Sequence, residues 1–271
     1  MDWSNRMSPT ISVIMSVYND SKYLEKSIES ILNQTYNDFE FIICNDCSSD
    51  DSLSIIEKYA MLDKRIVIIN NQDNLGLATS LNKCLDIAKG EFIARMDSDD
   101  ISLPNRFKEE LDFLKTHSEI AVVGCKCNVI DDLGEKRKEF LIHEGEVTLL
   151  DAIKKTQIIH PTVMMRKSAL LKVSGYTVDE KTQRAEDYDL WCKLLEKGYK
   201  IFNIDRILFL YREGISGIKK RKYRYRIQEY QLKKYWMKKK KVPIITYLYA
   251  IKPLFVGCIP TVLMNMYKRI N

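Results

Sequence analysis

Residues 91–100 read EFIARMDSDD, a short apolar run that ends in three carboxylates, Asp97, Asp99 and Asp100. Runs of the same kind recur on both sides of it: ISVIMSV at Ile11 to Val17, FEFIIC at Phe39 to Cys44, RIVIIN at Arg65 to Asn70 and IAVVG at Ile120 to Gly124. Each is followed by polar or turn residues. Helical spacing fills the intervals, with Leu24, Ile28, Ile31 and Leu32 after Tyr23, and Phe107, Leu111 and Leu114 after Pro104, a residue suited to a first helical turn. The alternation predicts an α/β domain with a mostly parallel sheet flanked by helices.

Composition agrees with a packed chain. Of 271 residues, 45% are hydrophobic and 30% charged, with 10 Gly and 6 Pro, which excludes disordered and collagenous classes. The net charge of +6 hides an asymmetry: from Ile218 onward lie 15 of the 43 Lys and Arg but only one of the 37 acids, Glu229, a local +14 that leaves −8 on the rest. The chain therefore divides into a catalytic-sized domain, 1–217, and a basic, aromatic and apolar helical tail, 218–271. The start, MDWSNRMSPT, has no apolar h-region, so a cytoplasmic protein with reduced thiols is expected. Its seven Cys then read chiefly as small buried hydrophobes. The pairs Cys44-x-x-Cys47 and Cys125-x-Cys127 are also compatible with zinc or redox chemistry, but packing suits them better. From Lys126 to Gly217 the pattern is less regular, with strands expected near Phe140 and Val163 and a helix from Glu186 to Lys197.

Chemistry in such a sheet belongs to the loops at the carboxyl ends of the strands. Neither G-x-G-x-x-G nor G-x-x-x-x-G-K-[ST] occurs, which weighs against dinucleotide oxidoreductases and P-loop NTPases. Carboxylates offer another way to hold phosphate charge. In an extended segment Asp97 and Asp99 lie on one side and can share a hard divalent cation, Mg²⁺ or Mn²⁺. The competing reading is that Asp99 or Asp100 caps the helix near Pro104. Asp46, in NDCSSDD after the second strand, can accept the imide N–H of a uracil, and Asp50 or Asp51 is better placed to cap the helix near Ser52. Tyr18 can stack on a base. Asp187, Leu190, Trp191, Leu194 and Leu195 share one helical face, so Asp187 starts the inward face, where a carboxylate can take the proton of an acceptor hydroxyl. Alternatively Glu186 and Asp187 simply complement the helix dipole.

Taken together, SVYN, ICNDCSSDDS, NLGLATSLNKCLDIAKGEFIARMDSDD, HPTVMMRKS and AEDYDLW, in this order across about Ser12 to Tyr211, resemble the family 2 glycosyltransferases. The resemblance implies a GT-A, Rossmann-like fold and an inverting transfer from a nucleotide sugar, usually a UDP-sugar. It implies that Ser16, Val17, Tyr18 and Asp46 contact the nucleoside, that Asn74, Gly76, Arg95, Asp97 and Ser98 line the nucleotide-sugar side, and that Asp97 and Asp99 hold the metal. Asp187, with Glu186, becomes the catalytic pair. Asp100, His160 and Trp191 are expected on the acceptor side, with Arg166 a further candidate; His160 is otherwise a hydrogen-bonded structural residue.

In the tail, Tyr223, Tyr225, Tyr230, Tyr235 and Trp236 interleave with basic residues, and an apolar stretch from Val242 to Tyr267 follows. Nucleic acid fits the charge but not the apolar stretch. An anionic membrane surface fits both, although Lys252 and three prolines argue against a span. The third reading is that part of the tail packs on the domain or on a second copy of the chain. The sequence as a whole predicts a glycosyltransferase, peripheral at the inner face of the membrane, acting on a glycan or polyprenyl-linked acceptor in surface polysaccharide biosynthesis. The alternatives are a metal-dependent sugar nucleotidyltransferase and a non-catalytic nucleotide- or glycan-binding domain.

Overall fold

The structure is a computed structural model describing residues 8–154, 157–213, 223–243 and 246–257. The chain start at 1–7, the division at Gly217, the basic run at 219–222 and the apolar stretch at 258–271 lie outside the described residues.

The first half alternates as expected: β1 (Ile11–Val17), α1 (Ser21–Leu32), β2 (Phe39–Asn45), α2 (Ser52–Leu62), β3 (Ile66–Asn70), α3 (Leu77–Ile87) and β4 (Phe92–Met96). These strands lie in the order β3-β2-β1-β4 and are all parallel. Their uninterrupted apolar character has a direct cause, because both faces are covered. Val13, Met15, Phe41 and Ile43 join Leu24 and Ile28 of α1 in one core, while Ile14, Ile42 and Ile93 join Leu81 and Leu85 of α3 in the other. The sheet and the crossing chain also touch closely at Gly90, where a Cβ would lie 2.5 Å from the Ser12 main-chain nitrogen.

Beyond β4 short antiparallel strands join the parallel frame. The three-residue β9 (Met164–Arg166) inserts antiparallel between β4 and β6 (Ile120–Ile130), so that Ala94 and Val123 both face Met164. β10 (Lys200–Arg212) runs parallel to β6, with β5 (Ile101–Ser102) antiparallel at its far edge; β7 (Lys136–Phe140) pairs with β6 and β8 (Gly145–Val147) with β10. The helices of this half are α4 (Arg106–Thr116), α5 (Leu149–Lys154), α6 (Lys167–Lys172) and α7 (Glu186–Glu196).

The tail contributes α8 (Tyr223–Lys239) and α9 (Tyr247–Gly257). Both rest on the domain: Leu232 and Trp236 pack with Ala185 and Cys192, and Met237 packs with Ile153 and Ala250. Part of the tail thus follows the packing reading. Among the described residues no helix is long and apolar enough to cross a membrane.

Candidate active site

The carboxyl ends of β1, β2 and β3 are level, with Val17 opposite Asn45 and Asn45 opposite Asn70. Tyr18, Asp46 and Asn71 therefore leave the sheet side by side. Asp46 is buried, and its Oδ1 accepts hydrogen bonds from Asn71 Nδ2 (2.8 Å) and Leu75 N (2.9 Å) while Oδ2 accepts from Gly76 N (2.8 Å). A carboxylate has about four lone-pair positions, so Oδ2 keeps room for one outside donor. Gly76 can turn its N–H inward because it sits at φ +83°, and a Cβ there meets nothing within 4 Å. Tyr18, one residue past the end of β1, is 53% exposed, and Asn74 is exposed as well. Ser16 is half-buried and Val17 buried.

Asn71 was missed by sequence reasoning. It bridges Asp46, the Ser80 hydroxyl (3.0 Å) and the Lys83 ammonium (2.6 Å). The usable signal was its place one residue past β3, matching that of Asp46 past β2. Capping follows the expectation for Asp50: its carboxylate accepts from Ser52 N (3.0 Å) and Ser21 N (2.9 Å) at the starts of two helices. Burial opposes its ionisation, but hydrogen bonds from Ser52 and Ser21 hold it down at about 2.

The acidic cluster stands where β4 ends. Carboxylate oxygens of Asp97, Asp99 and Asp100 lie within 4.8 Å of one another. The capping reading fails, because α4 starts after Asn105 and Asp100 instead accepts from Arg212 N (2.6 Å). Arg212 also donates from Nε to Asp99 O (2.7 Å), and Ser98 Oγ donates to Asp20 Oδ2 (2.6 Å). Arg95 is buried and forms an ion pair with Asp97. Burial, together with the charges of Asp97 and Asp20, pushes Asp99 up to about 7; burial and Asp99 push Asp100 well above the carboxylate range. The buried Asp100 Oδ2 has no hydrogen-bond partner among the described residues. Crowded carboxylates, a half-exposed Asp97 and Asp99, and an orphaned oxygen suit a hard divalent cation.

Facing this cluster is the start of α7. Burial first, and Asp187 second, push Glu186 up to about 7; burial also raises Asp187, with Asp97 adding to the effect and Arg95 opposing it. Asp187 Oδ1 accepts from Tyr188 N (2.7 Å). Asp187 is only half-buried, however, and the fully buried acid of this helix is Asp189. His160 lies beneath, its Nε2 2.7 Å from the Tyr176 hydroxyl. Burial, and secondarily Arg95, hold its pKa well below the ordinary histidine value, so the ring is neutral at pH 7. Tyr176 is the second residue that sequence reasoning missed, since nothing local in SGYTV marks it.

Three expectations need correction. Trp191, 3% exposed, packs edge-on against His160, and Asp100 is 1% exposed within the cluster; neither offers surface to an acceptor. Arg166 points elsewhere, donating to Leu114 O (2.6 Å) and Ile120 O (2.9 Å), and staples β9 to the end of α4. The cysteines Cys44, Cys84, Cys125, Cys127 and Cys192 are buried in the cores.

Solved structures share this architecture. Staphylococcus aureus TarS 1-349 superposes with a TM-score of 0.67 at 23% identity, covering 92% of this chain and 69% of that one. The mannosyltransferase PcManGT of Pyrobaculum calidifontis, solved with GDP-Man and Mn²⁺, gives 0.63 at 16% identity, covering 97% and 80%. The fold is thus that of the GT-A glycosyltransferases. Residues 12–174 match Glycosyl transferase family 2, and the chain belongs to that family and is a glycosyltransferase. Relatives include EpsE of Bacillus subtilis (strain 168), which carries the provisional name of a glycosyltransferase, 38% identical across 96% of this chain and 94% of its own length. Another is WfaP of Escherichia coli, named a UDP-Glc:α-D-GlcNAc-diphosphoundecaprenol β-1,3-glucosyltransferase, 30% identical across 92% of this chain and 95% of its own length.

Proposed function

We propose that the enzyme moves a sugar, with inversion, from a UDP-sugar to a hydroxyl of a lipid-linked glycan during polysaccharide biosynthesis. The observation that carries this reading is the pair Glu186 and Asp187, both raised by burial, within electrostatic reach of Arg95 and Asp97. Asp46 accepts the uracil imide N–H at its remaining position and Tyr18 covers the ring. Asp97 and Asp99, with Asp100 behind them, hold a divalent cation. When bound, that ion neutralises negative charge on the departing diphosphate.

The chain's own part is proton and position management. The acceptor oxygen forms a bond to the anomeric carbon as the carbon–diphosphate bond breaks, UDP leaves with that electron pair, and the hydroxyl proton passes to Asp187. A raised base suits this task, since proton transfer is most effective when base and operating pH are matched. Arg95 keeps its charge despite burial because Asp97 faces it, and so presents a fixed cation beside the diphosphate.

The lipid-linked acceptor is supported by WfaP, whose name specifies a diphosphoundecaprenol-linked one. The tail agrees, since basic α8 exposes Tyr235 and α9 exposes Leu248, the mixture that anionic headgroups attract at an inner membrane face. Calorimetry tests the donor side. UDP should bind in the presence of Mn²⁺ and bind much more weakly without it or to Asp99→Ala; failure of UDP to bind at all would overturn the uridine assignment.

A further inference from the structure

Asp189 is a buried carboxylate that the chemistry above does not use, two residues beyond Asp187. Its Oδ1 accepts from Trp236 Nε1 at 2.9 Å and its Oδ2 from the Thr177 hydroxyl at 2.5 Å. Lys193 Nζ closes the knot by donating to Gly175 O (2.5 Å) and Thr177 Oγ1 (3.0 Å). Three parts of the chain therefore meet at one side chain. The first is α7, which carries Glu186 and Asp187 at its start. The second is the turn 175–177, which carries Tyr176 and, through its hydroxyl, His160. The third is α8, whose Trp236 is 2% exposed and lies 47 positions further along the chain.

We propose that Trp236 is a positioning residue for catalysis, and that the tail helix completes the active site by fixing Asp189. This rests on reading Asp187 as the base. The two oxygens of Asp189 are engaged by two different segments, with Lys193 Nζ also 3.9 Å from Oδ2, which limits rotation of the first turn of α7 and ties its movement to the turn bearing Tyr176. A buried hydrogen bond to a carboxylate is strong and directional, so removing the indole N–H releases one side of this clamp while the surrounding packing persists. The N-terminal turn of α7 then samples orientations in which Asp187 is misaimed. Small displacements of this kind lower turnover far more than they lower binding.

The test compares full-length wild type with Trp236→Phe, which keeps an aromatic ring and deletes the donor. Hydrogen exchange of the protein alone should be faster in residues 176–191 of the variant and unchanged in β1, β2 and β4. With Mn²⁺ and the UDP-sugar that the wild type turns over, kcat should fall at least tenfold while donor KM stays within about threefold. Asp189→Asn, which keeps an acceptor for the indole, should retain most activity, and Asp189→Leu should lose at least as much as Trp236→Phe, with no further loss when Trp236→Phe is added to Asp189→Leu. Unchanged exchange in 176–191, or wild-type kcat in Trp236→Phe below its melting temperature, would overturn the proposal. Asp187→Asn measured alongside separates the two readings: undiminished turnover there removes Asp187 as base, whereas the exchange result judges the Trp236 clamp by itself.

Discussion

Asp46 holds the main-chain N–H groups of Leu75 and Gly76 at 2.9 and 2.8 Å, so one carboxylate shapes the loop after β3 before any ligand arrives. Asp46→Asn turns one of its acceptor atoms into a donor facing donors. The variant should lose about 1–3 kcal/mol of stability, as expected when a buried charged partner is removed, and more than tenfold in UDP affinity. Chemical denaturation and calorimetry measure the two effects. Unchanged UDP affinity would mean that Asp46 has no part in donor binding.

The acidic cluster is most repulsive when empty, since Asp97, Asp99 and Asp100 sit within 4.8 Å of one another. Mn²⁺ should therefore raise the melting temperature of the wild type. An ion present at 100 times its dissociation constant stabilises by about 2.7 kcal/mol. Asp99→Asn should melt at a higher temperature than the wild type without metal and show little response to Mn²⁺. An equal Mn²⁺ shift in both proteins would place the ion elsewhere.

With Glu186 raised to about 7 by burial and by Asp187, the pair keeps a proton below neutrality. Burial raises Asp187 as well, and a base must be ionised to accept the acceptor's proton, so kcat should rise with pH as Asp187 gives up its proton. Glu186→Gln removes one negative charge from the pair, which should move the rising limb of the profile to lower pH. A profile flat from pH 5 to 8 in the wild type would contradict this.

Arg106 and Glu110 form a fully buried ion pair at 3.2 Å under the site, and Arg106 donates to Arg95 O at 2.8 Å and Val163 O at 3.2 Å. Arg106→Met should cost about 3–5 kcal/mol in urea unfolding, because it strands a buried carboxylate. Burial already raises Glu110 to about 7 even with Arg106 beside it. Without Arg106 the native state of the variant holds that proton to still higher pH than the wild type does, so the loss should grow as pH rises above about 7. A destabilisation independent of pH would show that Glu110 is not the stranded group.

Much of this arrangement was legible in the sequence, for physical reasons. β1, β2 and β4 are buried on both faces and so are apolar throughout, and the acids that follow Met96 stand where the strand releases the chain. β10 was not legible, although it has 13 residues. Its pairing with β6 shifts register between Ile204 and Ile207 and again between Ile207 and Phe209, which breaks the two-residue alternation that marks a strand. β9 is too short to carry any period. The Asp189 contact with Trp236 is a tertiary pairing between distant segments, and no local pattern encodes it. Asp187 opened the helical face as expected, but it is half-buried because that end of α7 borders the site, while Asp189 lies beneath the tail.

The central claim is that Asp187 accepts the proton in a metal-dependent transfer from a UDP-sugar. Its most direct test is UDP release by wild type, Asp187→Asn and Asp99→Ala across a panel of UDP-sugars with Mn²⁺. Expected is release from one donor by the wild type, reduced about 10²–10⁴-fold in Asp187→Asn with UDP affinity retained, and lost in Asp99→Ala. Wild-type release by Asp187→Asn would contradict the claim.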